Sequence, residues 1–185
     1  MSSSDSKPPA YFLTFNCYGT WLHGDKRTSV DRFHNAYKTS RLPPKRSRLA
    51  RVKKGMRYPA YFLDRPRRWA TLEGIVRVAQ EAGWTLHAAH VRTEHVHVIV
   101  SAEEGPDSMI IRFKAAASKQ MNSRNLDRGR RKRWATGGST PGLWRPEQFW
   151  SALIYVIFEQ GRPMALYVDP NLNLKIEGEQ NPFGA

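Results

Sequence analysis

Two histidines one residue apart, His95 and His97, stand in a valine-rich run, Thr93-Glu94-His95-Val96-His97-Val98-Ile99-Val100. In an extended chain successive side chains point to opposite faces. Both imidazoles then share a face with Ile99, their Cα atoms roughly 7 Å apart, while Val96, Val98 and Val100 turn toward a core. Two imidazoles at that spacing can converge on one borderline divalent ion, and with oxygen ligands beside them the set also accepts Mg2+ or Mn2+. Taken alone, such a pair is more often two polar residues on the solvated face of a sheet. A metal site needs a third ligand.

Ser151-Ala152-Leu153-Ile154-Tyr155-Val156-Ile157-Phe158-Glu159-Gln160 offers one. As a helix, this stretch puts Tyr155 and Glu159 on the same side, one turn apart, with Gln160 rotated a further ~100°. If the helix packs beside the histidine strand, Glu159 completes a three-ligand site and Tyr155 points to the same place. Gln160 is the second choice, as ligand or as outer partner. The ordinary reading of Tyr155 is a half-buried residue among Leu153, Ile154 and Phe158.

These side chains have to be positioned by the rest of the chain. Ala10 to Trp21 is aromatic and β-rich and reads as a first strand. Residues 23–68 are strongly basic with little apolar period, and read as a long loop or insertion. Trp69 to Gly83 has helical spacing at Leu72, Ile75, Val76 and Ala79. Trp84 to Val91 and His95 to Ala102 read as strands joined by a tight hairpin at Arg92-Thr93-Glu94. A helix capped by Asp107 or Ser108 runs to about Arg124 with Ile110, Phe113, Ala117 and Met121 inward. Gly142 to Trp150 suggests a final strand or hairpin before the helix from Ser151. Strand, helix, hairpin, helix, strand is the order of a ferredoxin-like α+β sandwich, one antiparallel sheet covered by helices. Residues 10–168 form the single expected domain. Residues 1–9 and 169–185 read as flexible tails.

The 185 residues suffice for one domain with its own core. A net charge of +14 and a pI near 10.3 point to phosphate polymers as partners, with anionic membrane surfaces second. Arg130, Arg131, Lys132, Arg133 and the cluster from Lys45 to Arg57 are the candidate phosphate contacts. Trp134 and Trp144 are candidate stacking platforms for unpaired bases, and their alternative is to plug the core. Cys17 is the sole cysteine, which excludes a disulfide framework and fits a cytoplasmic location. No apolar run approaches the ~20 residues that span a bilayer.

HVHVIV resembles the histidine-hydrophobe-histidine motif of HUH endonucleases, and YVIFEQ resembles the single-tyrosine helix of small transposases acting on single-stranded DNA. FLTFNCYGTWLHGD is similar to the first-strand signature of the REP-associated tyrosine transposases. The resemblance runs in order from about Tyr11 to Tyr167. It implies a ferredoxin-like domain, a Mg2+ or Mn2+ cofactor, His95 and His97 as metal ligands and Tyr155 as nucleophile. The implied substrate is single-stranded or hairpin DNA, cut through a covalent 5′-phosphotyrosine. In many small members two subunits share active sites, so a homodimer is among the implied partners. The family's third ligand is a polar residue, often glutamine, one turn after the tyrosine. Glu159 stands there and Gln160 beside it, a departure that leaves both open. The insertion at 23–68 is longer than a minimal member needs. Three other readings remain: a non-catalytic nucleic-acid-binding module of the same fold, a zinc-dependent hydrolase, and a domesticated relative cutting palindromic repeats.

Overall fold

In the computed structural model, which describes residues 7–22, 45–127 and 132–172, the aromatic, β-rich run that opens at Ala10 becomes strand β1, Ala10–Asn16, and ends before Trp21. Tyr11, Leu13 and Phe15 enter one core, and Ala10 and Phe12 enter a smaller one on the opposite side of the sheet. Helix α1, Arg46–Lys54, follows, then α2, Arg65–Glu81, strands β2, Thr85–Val91, and β3, His95–Ser101, and helix α3, Pro106–Ser123. The chain ends in the short β4, Gly142–Leu143, helix α4, Pro146–Ile157, and β5, Ala165–Val168.

All strand pairs are antiparallel, in the order β4-β1-β3-β2-β5. The path β1-α2-β2-β3-α3-β4 is thus the expected ferredoxin-like α+β arrangement, with β5 added at the β2 edge. Val96, Val98 and Val100 join Leu13, Phe15, Ile75 and Phe113 beneath α2 and α3. α4 lies on the other face, where Ala152, Leu153, Val156 and Ile157 pack against Ile99, Ala88 and Leu143. The sheet is therefore covered on both sides, and α4 is the cover that carries the tyrosine.

Several boundaries differ from those read in the sequence. The stretch expected as a basic loop contains α1 and the start of α2, while 23–44 lies outside the described residues. α1 is made of good helix formers, arginine, lysine, leucine and alanine, but is too polar to show an apolar period. α2 begins earlier than expected because Asp64 accepts a hydrogen bond from the Arg67 backbone N–H at 3.0 Å, with Pro66 in the first turn. At α3 the N-cap is Gly105, followed by Pro106, in place of Asp107 or Ser108. Ser108 Oγ donates to the Glu104 carboxylate instead. The expected strand at Gly142 to Trp150 is two residues of β4 and then α4, which opens at Pro146. There Gln148 Oε1 accepts from the Trp144 and Arg145 N–H groups at 2.9 and 3.1 Å. β5 was not expected. Of the tails, Lys7 to Pro9 and Asp169 to Leu172 are described, and Leu172 packs against the smaller core. Residues 1–6 and 173–185 lie outside the description. No described helix is long and apolar enough to cross a membrane.

Candidate metal and tyrosine site

His97 sits in the centre of the sheet, paired with Thr14 on β1 and His90 on β2. It is 5% exposed. Its Nδ1 lies 2.8 Å from Thr14 Oγ1. With Nδ1–H donating to that hydroxyl, the lone pair is left on Nε2, which is buried and has no hydrogen-bond partner. Burial, reinforced by the neighbouring His95 and His90, pushes the ring's pKa down to about 3, against a hydrogen-bonding influence of the Gln160 side chain in the opposite direction. The ring is neutral at ordinary pH, with the Gln160 side chain as the group that acts on it, and neutral is the protonation state a metal ligand needs. His95 is partly buried, its ring centroid 4.7 Å from that of His97.

α4 brings Tyr155 to this pair. The Tyr155 ring centroid is 5.5 Å from His97 and 6.0 Å from Phe12, and Phe12 lies 5.4 Å from His97. Tyr155 remains 39% exposed. It borders a groove of about 450 Å³ shared with Phe12, Gly142, Leu143, Gln148 and Glu159. An accessible phenol thus stands at the mouth of a buried histidine site.

The two candidates for third ligand separate. Among the described residues no three His, Cys, Asp or Glu side chains converge closely enough to hold a metal, so Glu159 does not join His95 and His97. The inward stripe of α4 is Ala152, Leu153, Val156 and Ile157, and Gln160 follows in the turn after the helix end. Tyr155 and Glu159 lie along the edge instead, both exposed and both lining the groove. Gln160 is partly buried, donates from Nε2 to the Tyr155 carbonyl at 3.3 Å, and is the residue whose side chain acts on His97. Imidazoles suit borderline divalent ions, and oxygen ligands such as an amide carbonyl bring Mn2+ or Mg2+ into range; the observation that bears on an ion here is the buried Nε2 of His97, which has no hydrogen-bond partner.

Arg130 and Arg131 lie outside the described residues. Lys132 is exposed, its Nζ 4.9 Å from the Tyr18 ring centre. Arg133 is 7% exposed and turned inward: Nε donates to Asp127 at 3.1 Å and Nη2 to Asn122 at 2.7 Å. Burial works against ionising Asp127, yet hydrogen bonds from Arg67, Tyr61 and Arg133 hold its carboxyl below the usual range. Trp134 is fixed from within, Nε1 donating to Lys114 O at 3.1 Å and Ser118 Oγ at 3.0 Å, with its ring edge-on to Phe15. This is the core-plugging role, whereas Trp144 is 52% exposed.

Three neighbours of the site were not singled out in the sequence: Thr14, Phe12 and His90. Each follows from register. A tight hairpin at 92–94 sets His90 opposite His97, and alternation along β1 puts Phe12 and Thr14 on that same face.

Among solved structures the chain is similar to a REP-associated tyrosine transposase bound to a REP hairpin, at 16% identity and a TM-score of 0.43, covering 84% of this chain and 70% of that one. No protein-family model and no curated protein matches it. A likeness at that level leaves function to be read from the site itself.

Proposed function

We propose that the chain is a metal-dependent single-strand DNA endonuclease and strand transferase, with Tyr155 as nucleophile and His95, His97 and Gln160 as the ion's ligands. The observation that carries this reading is the meeting of an exposed phenol with a buried, neutral imidazole whose Nε2 has no partner. His95, His97 and Gln160 would hold Mg2+ or Mn2+, which would supply charge neutralisation and orientation at the scissile phosphate. Thr14 keeps the His97 lone pair on Nε2, and Phe12 packs beside both rings. Tyr155 Oη bonds to phosphorus as the P–O3′ bond breaks. The phenol loses its proton and the departing 3′ oxygen gains one, leaving a 5′-phosphotyrosine and a free 3′-hydroxyl. The reverse attack by a 3′-hydroxyl rejoins DNA without ATP. Tyr155 and His97 meet within one chain, their ring centroids 5.5 Å apart.

DNA as substrate is supported by the net charge of +14 and by the exposed basic side chains of α1, Arg46, Arg51, Lys53 and Lys54. Hairpin or palindromic sites are the substrates suggested by the resemblance at FLTFNCYGTWLHGD, HVHVIV and YVIFEQ. The test is incubation of the full chain with end-labelled single-stranded hairpins and Mn2+, followed by a denaturing protein gel. A label that migrates with the protein, requires the ion and is lost in Tyr155→Phe supports the reading. Binding with no covalent label identifies a non-catalytic module, and cutting that persists in Tyr155→Phe identifies a metal-activated water.

A further inference from the structure

His90 is fully buried, and both its ring nitrogens are engaged. Nδ1 lies 2.8 Å from the Val156 carbonyl oxygen, and Nε2 accepts the Met164 backbone N–H at 3.2 Å. Only the neutral Nδ1–H tautomer satisfies both bonds. Val156 is in the last turn of α4, where carbonyls lack helical partners. Those of Ile154 and Tyr155 accept from the Phe158 and Glu159 N–H groups at 2.8 and 3.3 Å, and that of Val156 is taken by the imidazole. Met164 immediately precedes β5. One side chain on the sheet therefore holds both stems of the segment 157–163, which begins two residues after Tyr155 and contains Gln160. Within that segment Gly161, at φ +70°, turns the chain back, and Arg92 Nη1 donates to Arg162 O at 2.6 Å.

We propose that His90 is a positioning residue: by clamping Val156 and Met164 it sets where Tyr155 and Gln160 stand relative to His97, the cross-strand neighbour of His90 itself. The inference rests on the reading of Tyr155 and the His95–His97–Gln160 set given above. His90 touches neither the phosphate nor the ion, and its role is to fix the register of α4 and the returning segment against β2. A misplacement of about 1 Å at a reacting group lowers a rate by about a hundredfold. Loss of a group supporting a ligand weakens metal binding about tenfold or more.

The experiment compares the wild-type chain with His90→Leu, which removes both bonds, His90→Asn, which keeps a donor near Nδ1 and removes the Nε2 acceptor, and His90→Gln, which carries both a donor and an acceptor. Three quantities are read: backbone hydrogen exchange over 157–164, Mn2+ affinity by electron paramagnetic resonance, and single-turnover formation of the covalent product as a function of DNA concentration. In His90→Leu the exchange rises over 157–164 and not in β1 or β3, Mn2+ affinity falls about tenfold, and the rate at saturating DNA falls about a hundredfold. The half-saturating DNA concentration stays within about twofold. His90→Gln recovers part of the rate. Should His90→Leu not fold, His90→Asn decides, with faster exchange at Met164 expected.

If the wild type forms product and the variants match it in exchange, Mn2+ affinity and rate, the role of His90 is refuted while the proposed function stands. If the wild type forms no product, the proposed function falls, and the exchange and Mn2+ measurements still decide whether His90 holds the segment.

Discussion

His97 bears the strictest demand in the site, because a buried ring with one satisfied and one empty nitrogen must stay neutral. Its folded pKa, pushed down to about 3, lies below the ordinary 6.5 of an unfolded histidine. The unfolded chain therefore binds the extra proton first. The contribution to stability is full above about pH 6.5 and is lost as pH falls toward 3, by about 2–3 kcal/mol at pH 4.5. Urea unfolding of metal-free protein at pH 7 and pH 4.5 is expected to show a smaller loss in His97→Gln than in the wild type; parallel losses would contradict the shift. Tyr155 presents the opposite case. It is exposed enough that Tyr155→Phe should change unfolding free energy by no more than about 0.5 kcal/mol, so a lost covalent product could not be attributed to unfolding. Arg133 and Lys132 are adjacent in sequence and unlike in effect. Arg133→Ala removes one of two arginines from a buried carboxylate and should cost about 2–3 kcal/mol in a denaturant titration, somewhat less than breaking an isolated buried pair. Lys132→Ala should cost no more than about 1 kcal/mol, the size of its exposed contact with the Tyr18 ring, and weaken DNA binding.

At the scale of elements, the three long strands were legible as β-rich runs, and alternation along the third placed His95, His97 and Ile99 opposite Val96, Val98 and Val100. What alternation could not supply was the start of α4. The aromatic run at Leu143-Trp144 looks strand-like, and the helix is announced only by Pro146, a residue suited to the first helical position. The same element explains why Glu159 was favoured over Gln160. Spacing from Tyr155 on a continuous helix selects position 159, but α4 ends at Ile157 and the turn after it leaves Glu159 exposed and Gln160 partly buried. β5 has four residues, too few for a period to show. Contact between α2 and α3 depends on Gly74. A Cβ there would stand 2.8–2.9 Å from backbone atoms of Ala116 and Ala117. Gly74→Ala should destabilise the fold by about 1–3 kcal/mol by urea unfolding in spite of alanine's better helix propensity. The site lies on the other face of the sheet, so Mn2+ affinity of the folded variant should be unchanged. A stabilised variant would show that the helices can move apart.

Taken whole, the molecule combines a sheet covered on both faces with a charge excess of +14, and the excess acts on partners more than on the fold. If binding neutralises 6–10 phosphates, affinity for single-stranded DNA should fall by about 300-fold to 10⁴-fold between 50 and 200 mM salt, measurable by fluorescence anisotropy. A flat salt dependence would remove phosphate as the recognised group. The claim on which everything else depends is that the phenol of Tyr155 becomes bonded to DNA. Tandem mass spectrometry of the protein digested after reaction with a single-stranded hairpin and Mn2+ reads that bond at residue resolution. The expected spectrum places a 5′-phosphoryl nucleotide on Tyr155 and on no other residue. A nucleotide on a different side chain, or cleaved DNA with every tyrosine unmodified, would contradict it.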